Sequence, residues 1–480
     1  MPPYGVWWLE QALAADRGVT CPPLAGPVHA DVCVVGGGYV GLWTAIELRE
    51  QAPELKVVLL DREFCGAGAS GRNGGWATGW FDEIDGLVDR FGADEAVRLG
   101  DRSHWAIDRI ETFCGEHGID CHLRRRGAMW VASAPAHIGM WEPAVRTAEE
   151  LDRGAMLEAV SADELRSRTG SPVPLGGARH ADAAAVQPAL LVRGLRRVAL
   201  ELGVVIHEST PMVTLRHGRR PRVVTPTGYV DCDRVVLGLG AWSAGVPGLR
   251  RATIPVASHI VLTEPLGDAV TALPWSDGEL LGDARLMVHY AQVTADGRIA
   301  FGRGGGALGI AGRVGPRHFH DPATVAAVAA DFRRWFPRFA NTPLARAWGG
   351  PVDRAPGHLP FAGRLGADAN VLYATGFSGN GVAPSALFGR ILGRQVLGRH
   401  DADTTSPITG GPPALLPPEP LRSVGGELVR AALGRLEQAE ESGRAAPRTR
   451  HALGRLVTAH TPPGLDPRLS GLRRAAGRGD

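Results

Sequence analysis

The chain has 480 residues, 44% of them hydrophobic, enough for about two or three packed units with real cores. Its 52 basic and 50 acidic residues leave a net charge of +2, so no strong field argues for nucleic acid or an anionic membrane as partner. No run of about 18 apolar residues exists to span a membrane, and the start Met1-Pro-Pro-Tyr-Gly-Val-Trp-Trp8 lacks the basic opening and apolar core of a signal peptide.

In chain order, residues 28–61 read as a βαβ unit. Asp31-Val-Cys-Val-Val35 runs into Gly36-Gly-Gly38-Tyr39-Val40-Gly41, an apolar helical pattern follows, and Val57-Val-Leu-Leu60 ends on Asp61. Gly36 permits a tight turn, Gly38 lets the backbone approach a pyrophosphate, and Gly41 lets helix and strand pack closely. The helix N-terminus offers N–H groups and the positive dipole end to phosphates. Asp61 is placed to accept hydrogen bonds from a ribose hydroxyl. In a chain with 65 glycines a lone Gly-x-Gly-x-x-Gly is weak, but here strand, helix, second strand and acid are all present.

Residues 81–117 read as mostly helical, and 123–132 as a strand of a different sheet. An apolar helix stripe at 189–203 leads to the strand Val204-Val-Ile-His207, which rejoins the first sheet. Residues 222–240 read as a hairpin plus a buried strand, and 254–263 and 286–302 as strands of an antiparallel sheet. After a helix at 323–336, Val371-Leu-Tyr-Ala-Thr375 is a strand entering a glycine-rich loop and a helix from about 383 to 397. Dinucleotide-type elements thus fall in three segments. The expected plan is discontinuous: 28–107, 179–254 and 343–400 form a cofactor domain, and 108–178 and 255–342 a substrate domain. Residues 401–480 add a linker, a short amphipathic helix through Leu428, Val429, Ala432, Leu433 and Leu436, and a basic tail. The six cysteines show no CxxC and no ligand spacing with histidine, which predicts reduced thiols, no metal and a cytoplasmic location.

Two loops decide which dinucleotide. Gly66-Ala-Gly-Ala69-Ser70-Gly71-Arg72-Asn73-Gly74-Gly75-Trp76 follows the acidic strand end; its small residues let backbone amides reach a large planar ligand, and a nicotinamide fold does not need it. Gly376-Phe-Ser-Gly379-Asn380-Gly381-Val382 precedes a helix whose N-terminus can stabilise an anionic reduced flavin ring, by about 0.3–1 kcal/mol. Together they predict FAD.

With these motifs the chain resembles the D-amino-acid-oxidase-like family of FAD-dependent amine oxidoreductases, most of all its γ-glutamylputrescine oxidase and glycine/sarcosine oxidase branch. The resemblance runs from Trp7 to Gly398 on the Gly36–Asp61 fingerprint, Ala69-Ser-Gly-Arg-Asn-Gly-Gly75, Val186-Gln-Pro188, Leu239-Gly-Ala-Trp242 and the Gly376–Val382 loop. It implies an α/β fold: a discontinuous Rossmann-like FAD domain with a glutathione-reductase-like βαβ, plus an α+β substrate domain with a largely antiparallel sheet. It also implies Asp61 and Arg62 at the AMP ribose, Met212 at the adenine, Ser70 to Gly75 along the ribityl and ring, and Gly240 with Gly379 to Val382 completing the flavin site.

Relatives that bond FAD covalently use a late cysteine or a histidine near the second loop. Here no cysteine follows Cys232 and the loop carries Arg72 and Asn73, so FAD is expected to be non-covalent. The lysine that some sarcosine-oxidase relatives use to activate oxygen is missing, since the only lysine, Lys56, starts the second Rossmann strand. Where relatives often carry Tyr-Phe-Arg, this chain has Tyr290-Ala-Gln292, which loses a candidate anion-binding arginine.

The implied reaction moves a hydride from the carbon next to nitrogen of a small amine or amino acid to the flavin, with oxygen or an electron carrier as the next acceptor. The alternatives are a flavin dehydrogenase feeding a carrier protein or quinone, possibly in natural-product tailoring, and an FAD-holding partner without turnover. Catalytic candidates are His259, His289 and Tyr290 on the inserted strands. Each histidine is either a proton acceptor or a packed sheet residue. Arg354 either binds an anionic substrate group or pairs with Asp353.

Overall fold

A computed structural model describes residues 5–16, 18–366 and 369–442. One sheet has six strands in the order Val205–His207, Val57–Leu60, Val32–Val35, Arg234–Leu237, Val371–Thr375 and Phe361–Leu365. The first five run parallel and the last antiparallel. Val32–Val35, Val57–Leu60 and Val371–Thr375 are buried at every position, as expected of parallel strands covered on both faces. The helices Tyr39–Gln51 and Val382–Val396 pack closely on each other: a Cβ at Gly389 would lie 2.4 Å from Trp43 Cβ. This is the expected α/β arrangement, with the second βαβ return at Val205–His207 in place.

The largest sheet has eight strands, in the order Leu344–Arg354, Ile254–Thr263, Ile299–Arg303, His289–Val293, Leu280–Asp283, Ala128–Val131, Gly177–His180 and Leu157–Val160. All neighbours are antiparallel except Leu280–Asp283 with Ala128–Val131. The helix Pro322–Trp335 covers one face, and Phe301, Phe332, Trp335 and Phe336 fill the core between them. A small sheet joins Trp76–Thr78, Ala183–Ala185 and Arg124–Arg125, and a four-stranded sheet carries Gly26–His29 beside the 222–231 hairpin.

Several elements lie across the expected boundaries. Val28 belongs to the Gly26–His29 strand rather than to the βαβ unit, whose first strand begins at Val32. Leu344–Arg354, expected on the cofactor side, pairs with Ile254–Thr263 in the large sheet. Its run Trp348-Gly-Gly-Pro351 looks like a turn in sequence, but the ten-residue partner strand holds it extended. Gly177–His180 straddles position 179, and Ala183–Ala185 pairs with elements from both sides.

The C-terminal helix spans Leu421–Glu441, well beyond the 428–436 stripe. Apolar spacing underestimates it because its buried side is mostly charged: Arg422, Leu436, Glu437 and Glu440, while Leu421, Val424 and Leu428 are exposed. Glu437 Oε1 accepts from Met287 N (2.9 Å), and Glu437 faces Arg303 (3.7 Å) and Arg285 (3.9 Å). Arg285 also pairs with Asp283 (3.2 Å) and with Glu441, which meets Arg334 at 2.8 Å. His137 Nε2 lies 3.3 Å from Glu440. The helix is therefore latched by ions rather than by grease. The basic tail beyond it lies outside the described residues.

Arg285 is 2% exposed, so replacing it removes one side of a buried ion network. Arg285→Met is expected to cost about 3–5 kcal/mol of stability, measured as a lowered urea midpoint at unchanged m-value.

Candidate active site

The Val32–Val35 strand ends in a turn that only glycine can make. Gly36 has φ +107°, and a Cβ there would stand 2.4 Å from Gly238 O. A Cβ on Gly41 would strike Gly36 O at 1.9 Å and press on Val34 Cγ1 at 3.2 Å, so helix and strand meet backbone to backbone. Gly38 caps the helix, and a Cβ on it would touch Ser70 Oγ at 3.0 Å. Ser70 Oγ accepts from Tyr39 N (3.0 Å), which joins the first turn to the second loop, and Tyr39 Oη donates to Pro188 O (2.8 Å). Val40 continues the first turn, its carbonyl accepting from Thr44 Oγ1 at 2.8 Å.

Asp61 is positioned by the same turn. Its Oδ2 accepts from Gly37 N (2.7 Å) and its Oδ1 from Glu63 N (2.8 Å), and burial pushes its pKa up to about 6. Arg62 lies over Trp242, 4.6 Å from the ring centroid, and pairs with Glu63 at 2.7 Å. Trp242 in turn closes on Gly68, whose Cβ would be 3.3 Å from its ring. Met212 packs at the edge of the core formed by Val35, Val58 and Leu60. Gly240, at φ +50°, has nothing within 4 Å of where a Cβ would stand.

The Ala69–Gly75 loop begins as a short 3-10 turn at Ala69–Gly71, with Gly71 pressed against Gly66 O and Leu9. Arg72 is buried and donates from Nε to Ala67 O (2.8 Å), while its own carbonyl accepts from Trp348 Nε1 (2.9 Å). Asn73 ties the loop to itself: Nδ2 donates to Ser70 O (3.1 Å) and Oδ1 accepts from Gly75 N (2.7 Å). Trp8 Nε1 donates to Asn73 O (3.0 Å) and Gln292 Nε2 to Gly74 O (2.6 Å). A Cβ on Gly74 would lie 2.7 Å from Tyr290 Cε2. One face of the large sheet therefore holds this loop, through Tyr290, Gln292 and Trp348.

The third loop leaves the parallel strand Val371–Thr375, next to Arg234–Leu237. Gly376, Ser378 and Gly379 all have left-handed φ, at +85°, +54° and +105°. Asp353 Oδ2 holds this strained turn by accepting from Gly376 N (2.7 Å) and Thr375 Oγ1 (3.0 Å), and burial raises the Asp353 pKa. Asn380 Nδ2 reaches Gly79 O (3.5 Å), its Oδ1 is buried without a hydrogen-bond partner, and the space beside Gly379 is open. Gly381 caps the helix that starts at Val382. The first and third loops and Gly240 follow the carboxyl ends of neighbouring parallel strands, where open α/β sheets bind ligands.

Side-chain alternation separates the catalytic candidates. In cross-strand register Tyr290 opposes Gly302, which opposes Ile260, which opposes Trp348. His289 and His259 both oppose Arg303 and so point to the other face, toward the Pro322–Trp335 helix. His289 is clamped there between Asp283 (2.8 Å) and Asp331 (3.0 Å), with its pKa raised by those carboxylates against the effect of burial. His259 is fully buried with neither ring nitrogen hydrogen-bonded, and burial lowers its pKa to about 4. Both histidines are therefore corrected to packed sheet residues, turned away from the loops. Arg354 contacts His358 Nε2, and Asp353 is engaged with Gly376 and Thr375, so of the two readings of Arg354 the pairing with Asp353 is not the one seen.

Tyr290 alone of the inserted-strand candidates reaches the loop face. Its hydroxyl is 2.7 Å from Ser258 Oγ, and Ser258 Oγ donates its proton to Arg303 O (3.0 Å). A serine has one proton to give, so Tyr290 donates to Ser258 and keeps its own lone pairs for an incoming N–H. Burial pushes the Tyr290 pKa up to about 12, so it stays protonated near neutrality. Sequence reasoning missed Ser258 and Asp353 as supports and read Gln292 only as a lost arginine. The alternation Ser258, Ile260, Leu262 separates Ser258 from His259, but only the cross-strand register puts Ser258 on the Tyr290 face.

Comparison with known proteins gives the family. Residues 31–395 match the family model of DAO, FAD dependent oxidoreductases. The chain belongs to this family. It is an FAD-dependent oxidoreductase, as its motifs led one to expect. "Probable oxidoreductase OrdL" of Haemophilus influenzae is 30% identical over 384 residues, covering 78% of this chain and 85% of that protein. Gamma-glutamylputrescine oxidoreductase of Escherichia coli is 27% identical over 403 residues, covering 82% and 91%. Glycine oxidase from Geobacillus kaustophilus shares the fold, with a TM-score of 0.65 at 18% identity over 80% of this chain and 98% of that one. The cofactor is FAD. The residues present suit it: a glycine cradle that any Cβ would fill, a carboxylate at the end of the second strand, and an unpartnered Asn380 oxygen beside open space.

Two outcomes follow. Gly41→Ala places a methyl where only 1.9 Å is available to Gly36 O, and the purified variant is expected to carry little or no flavin, read from its visible absorbance. His259 has an ordinary pKa of about 6.5 and a folded value of about 4. Between these the unfolded chain binds a proton that the folded chain refuses, so stability falls as pH drops through that window. His259→Leu is expected to flatten this acid-side loss, measured as the change in Tm between about pH 7 and about pH 5.

Proposed function

We propose that this enzyme oxidises a C–N bond of a small amine or amino acid, with Tyr290 positioning the nitrogen. The observation that carries this is the oriented Tyr290–Ser258 pair, set on the sheet face that holds the Ala69–Gly75 loop. In this reading the six-stranded sheet carries the cofactor unit and the eight-stranded sheet the substrate unit. Gly36, Gly38, Tyr39, Val40 and Gly41 take the pyrophosphate, Asp61 and Arg62 the ribose, and Met212 the adenine. Ala69 to Gly75, Gly240, Trp242 and Gly379 to Val382 enclose the ring.

When bound, FAD supplies the two-electron acceptor for a hydride leaving the carbon next to nitrogen. The protein's part is orientation and exclusion of water. The Tyr290 oxygen accepts an N–H of the neutral amine, and Gln292 keeps Gly74 in place beneath it. The product imine hydrolyses to a carbonyl compound and free amine. Two named relatives, a gamma-glutamylputrescine oxidoreductase and a sarcosine oxidase subunit, support a nitrogen-bearing substrate. Oxygen is the proposed final acceptor. The runner-up is an electron carrier or quinone, favoured by the chain's only lysine, Lys56, being exposed at the far end of its strand from Asp61. The buried, free cysteines support a cytoplasmic location.

The test is anaerobic mixing with a panel of γ-glutamylated diamines, sarcosine, glycine and simple amines. At least one is expected to bleach the flavin band, and re-aeration against addition of a quinone dye distinguishes oxidase from dehydrogenase. With that substrate Tyr290→Phe is expected to lower the reduction rate about ten- to a hundredfold while flavin content is unchanged. If no amine bleaches the flavin, or if the variant reduces at the wild-type rate, the assignment fails.

A further inference from the structure

Two thiols unused by the proposed chemistry lie against each other. Cys114 is in the last turn of the helix Ala93–Glu116, and Cys121 is on the segment that leads into the strand Arg124–Arg125. Their Sγ atoms are 3.8 Å apart, and the residues are seven positions apart in sequence. The connection between them can yield. It contains Gly115 and Gly118, the latter at φ +58°, and neither has anything within 4 Å of where a Cβ would stand. We propose that Cys114 and Cys121 form a reversible disulfide when the enzyme meets hydrogen peroxide.

The two sulfurs are unequal in the way such chemistry needs. Cys114 is 7% exposed and Cys121 1%, so a water-sized oxidant reaches Cys114 first. The contact with Cys121 also holds the Cys114 pKa below that of an ordinary thiol, and the same contact pushes Cys121 up. The lower-pKa, more accessible sulfur is the one that attacks peroxide. The Cys114 thiolate takes one oxygen of hydrogen peroxide to become a sulfenic acid, and hydroxide leaves. The Cys121 thiol then attacks that sulfur, the S–S bond forms, and the sulfenic oxygen departs as water with the Cys121 proton. Overall two thiols and one peroxide give one disulfide and two waters. Closure brings the sulfurs from 3.8 Å to about 2.05 Å.

Cys33 and Cys232 also lie against each other, but neither is open to an oxidant as Cys114 is. Cys33, Cys65 and Cys232 are at most 1% exposed, and Cys21 is engaged by Arg196 Nη2 at 2.9 Å. The crosslink also lands on a structural post of the cofactor cradle. The Cys121 carbonyl accepts from Gln187 N (2.8 Å), Gln187 Oε1 caps the helix Pro188–Glu201 at Leu190 N (2.8 Å), and Pro188 O accepts from Tyr39 Oη (2.8 Å). A disulfide there ties the long helix to the residues that seat Tyr39.

The holoenzyme is treated with hydrogen peroxide from outside, so the outcome does not depend on which substrate or acceptor the flavin uses. It is then unfolded, alkylated and mapped by peptide mass spectrometry. The expected result is a Cys114–Cys121 crosslinked peptide, loss of two of the six thiols, and full recovery with dithiothreitol. Cys114→Ser is expected to retain its remaining thiols, whereas Cys121→Ser lets Cys114 advance to the sulfinic acid. The wild-type map decides the matter even if a variant folds poorly. Unchanged thiols, thiol loss spread over other cysteines, or Cys114 sulfinic acid without crosslink in the wild-type chain would overturn the proposal.

Discussion

The site depends on how one glycine-rich loop is held between two sheets. Ala69–Gly75 is fastened on one side by Ser70 to the first N–H of the cofactor helix, and on the other by Trp8, Gln292 and Trp348, which donate to its carbonyls. None of these bonds is strong alone; a typical one contributes about 0.5–1.5 kcal/mol net. Their effect is geometric. With Gly74 against Tyr290 and Gly75 against Gln292 and Val186 O, no side chain fits at either glycine without displacing these neighbours.

That constraint explains why polar groups in this region serve backbone rather than solvent. Arg72 is buried among carbonyls, Asp353 holds the strained Gly376 turn, and Asn73 folds the loop upon itself. A site built this way is preorganised, since the groups that line it are already committed. Tyr290 keeps an unspent acceptor, because Ser258 spends its proton on Arg303 O.

The far side of the large sheet follows different physics. His289, Asp283, Arg285, Arg303 and Asp331 form a buried charged set that receives the acidic end of the C-terminal helix. An ion-latched helix is specified by charge complementarity and carries no apolar period, so its length was hidden from hydrophobic patterning. The same holds for Leu344–Arg354, whose glycines and proline resemble a turn until a long neighbouring strand pairs with them. Local sequence reports local preference, and these elements owe their form to partners distant in the chain.

By itself the sequence determined the glycine turn after the first parallel strand, the two glycine-rich loops and the family, because each depends on glycines and small residues at fixed spacing along one segment. Gly36, Gly38, Gly41 and Asp61 are legible for that reason: their neighbours in space are nearly their neighbours in sequence. Only the tertiary structure decided which inserted-strand residues face the cofactor side. His259 and Ser258 are adjacent in the chain, and strand alternation turns one to the face away from the loops, against Gly349, and the other to Tyr290. Which face is which is set by the register of four paired strands, and no single strand contains that information.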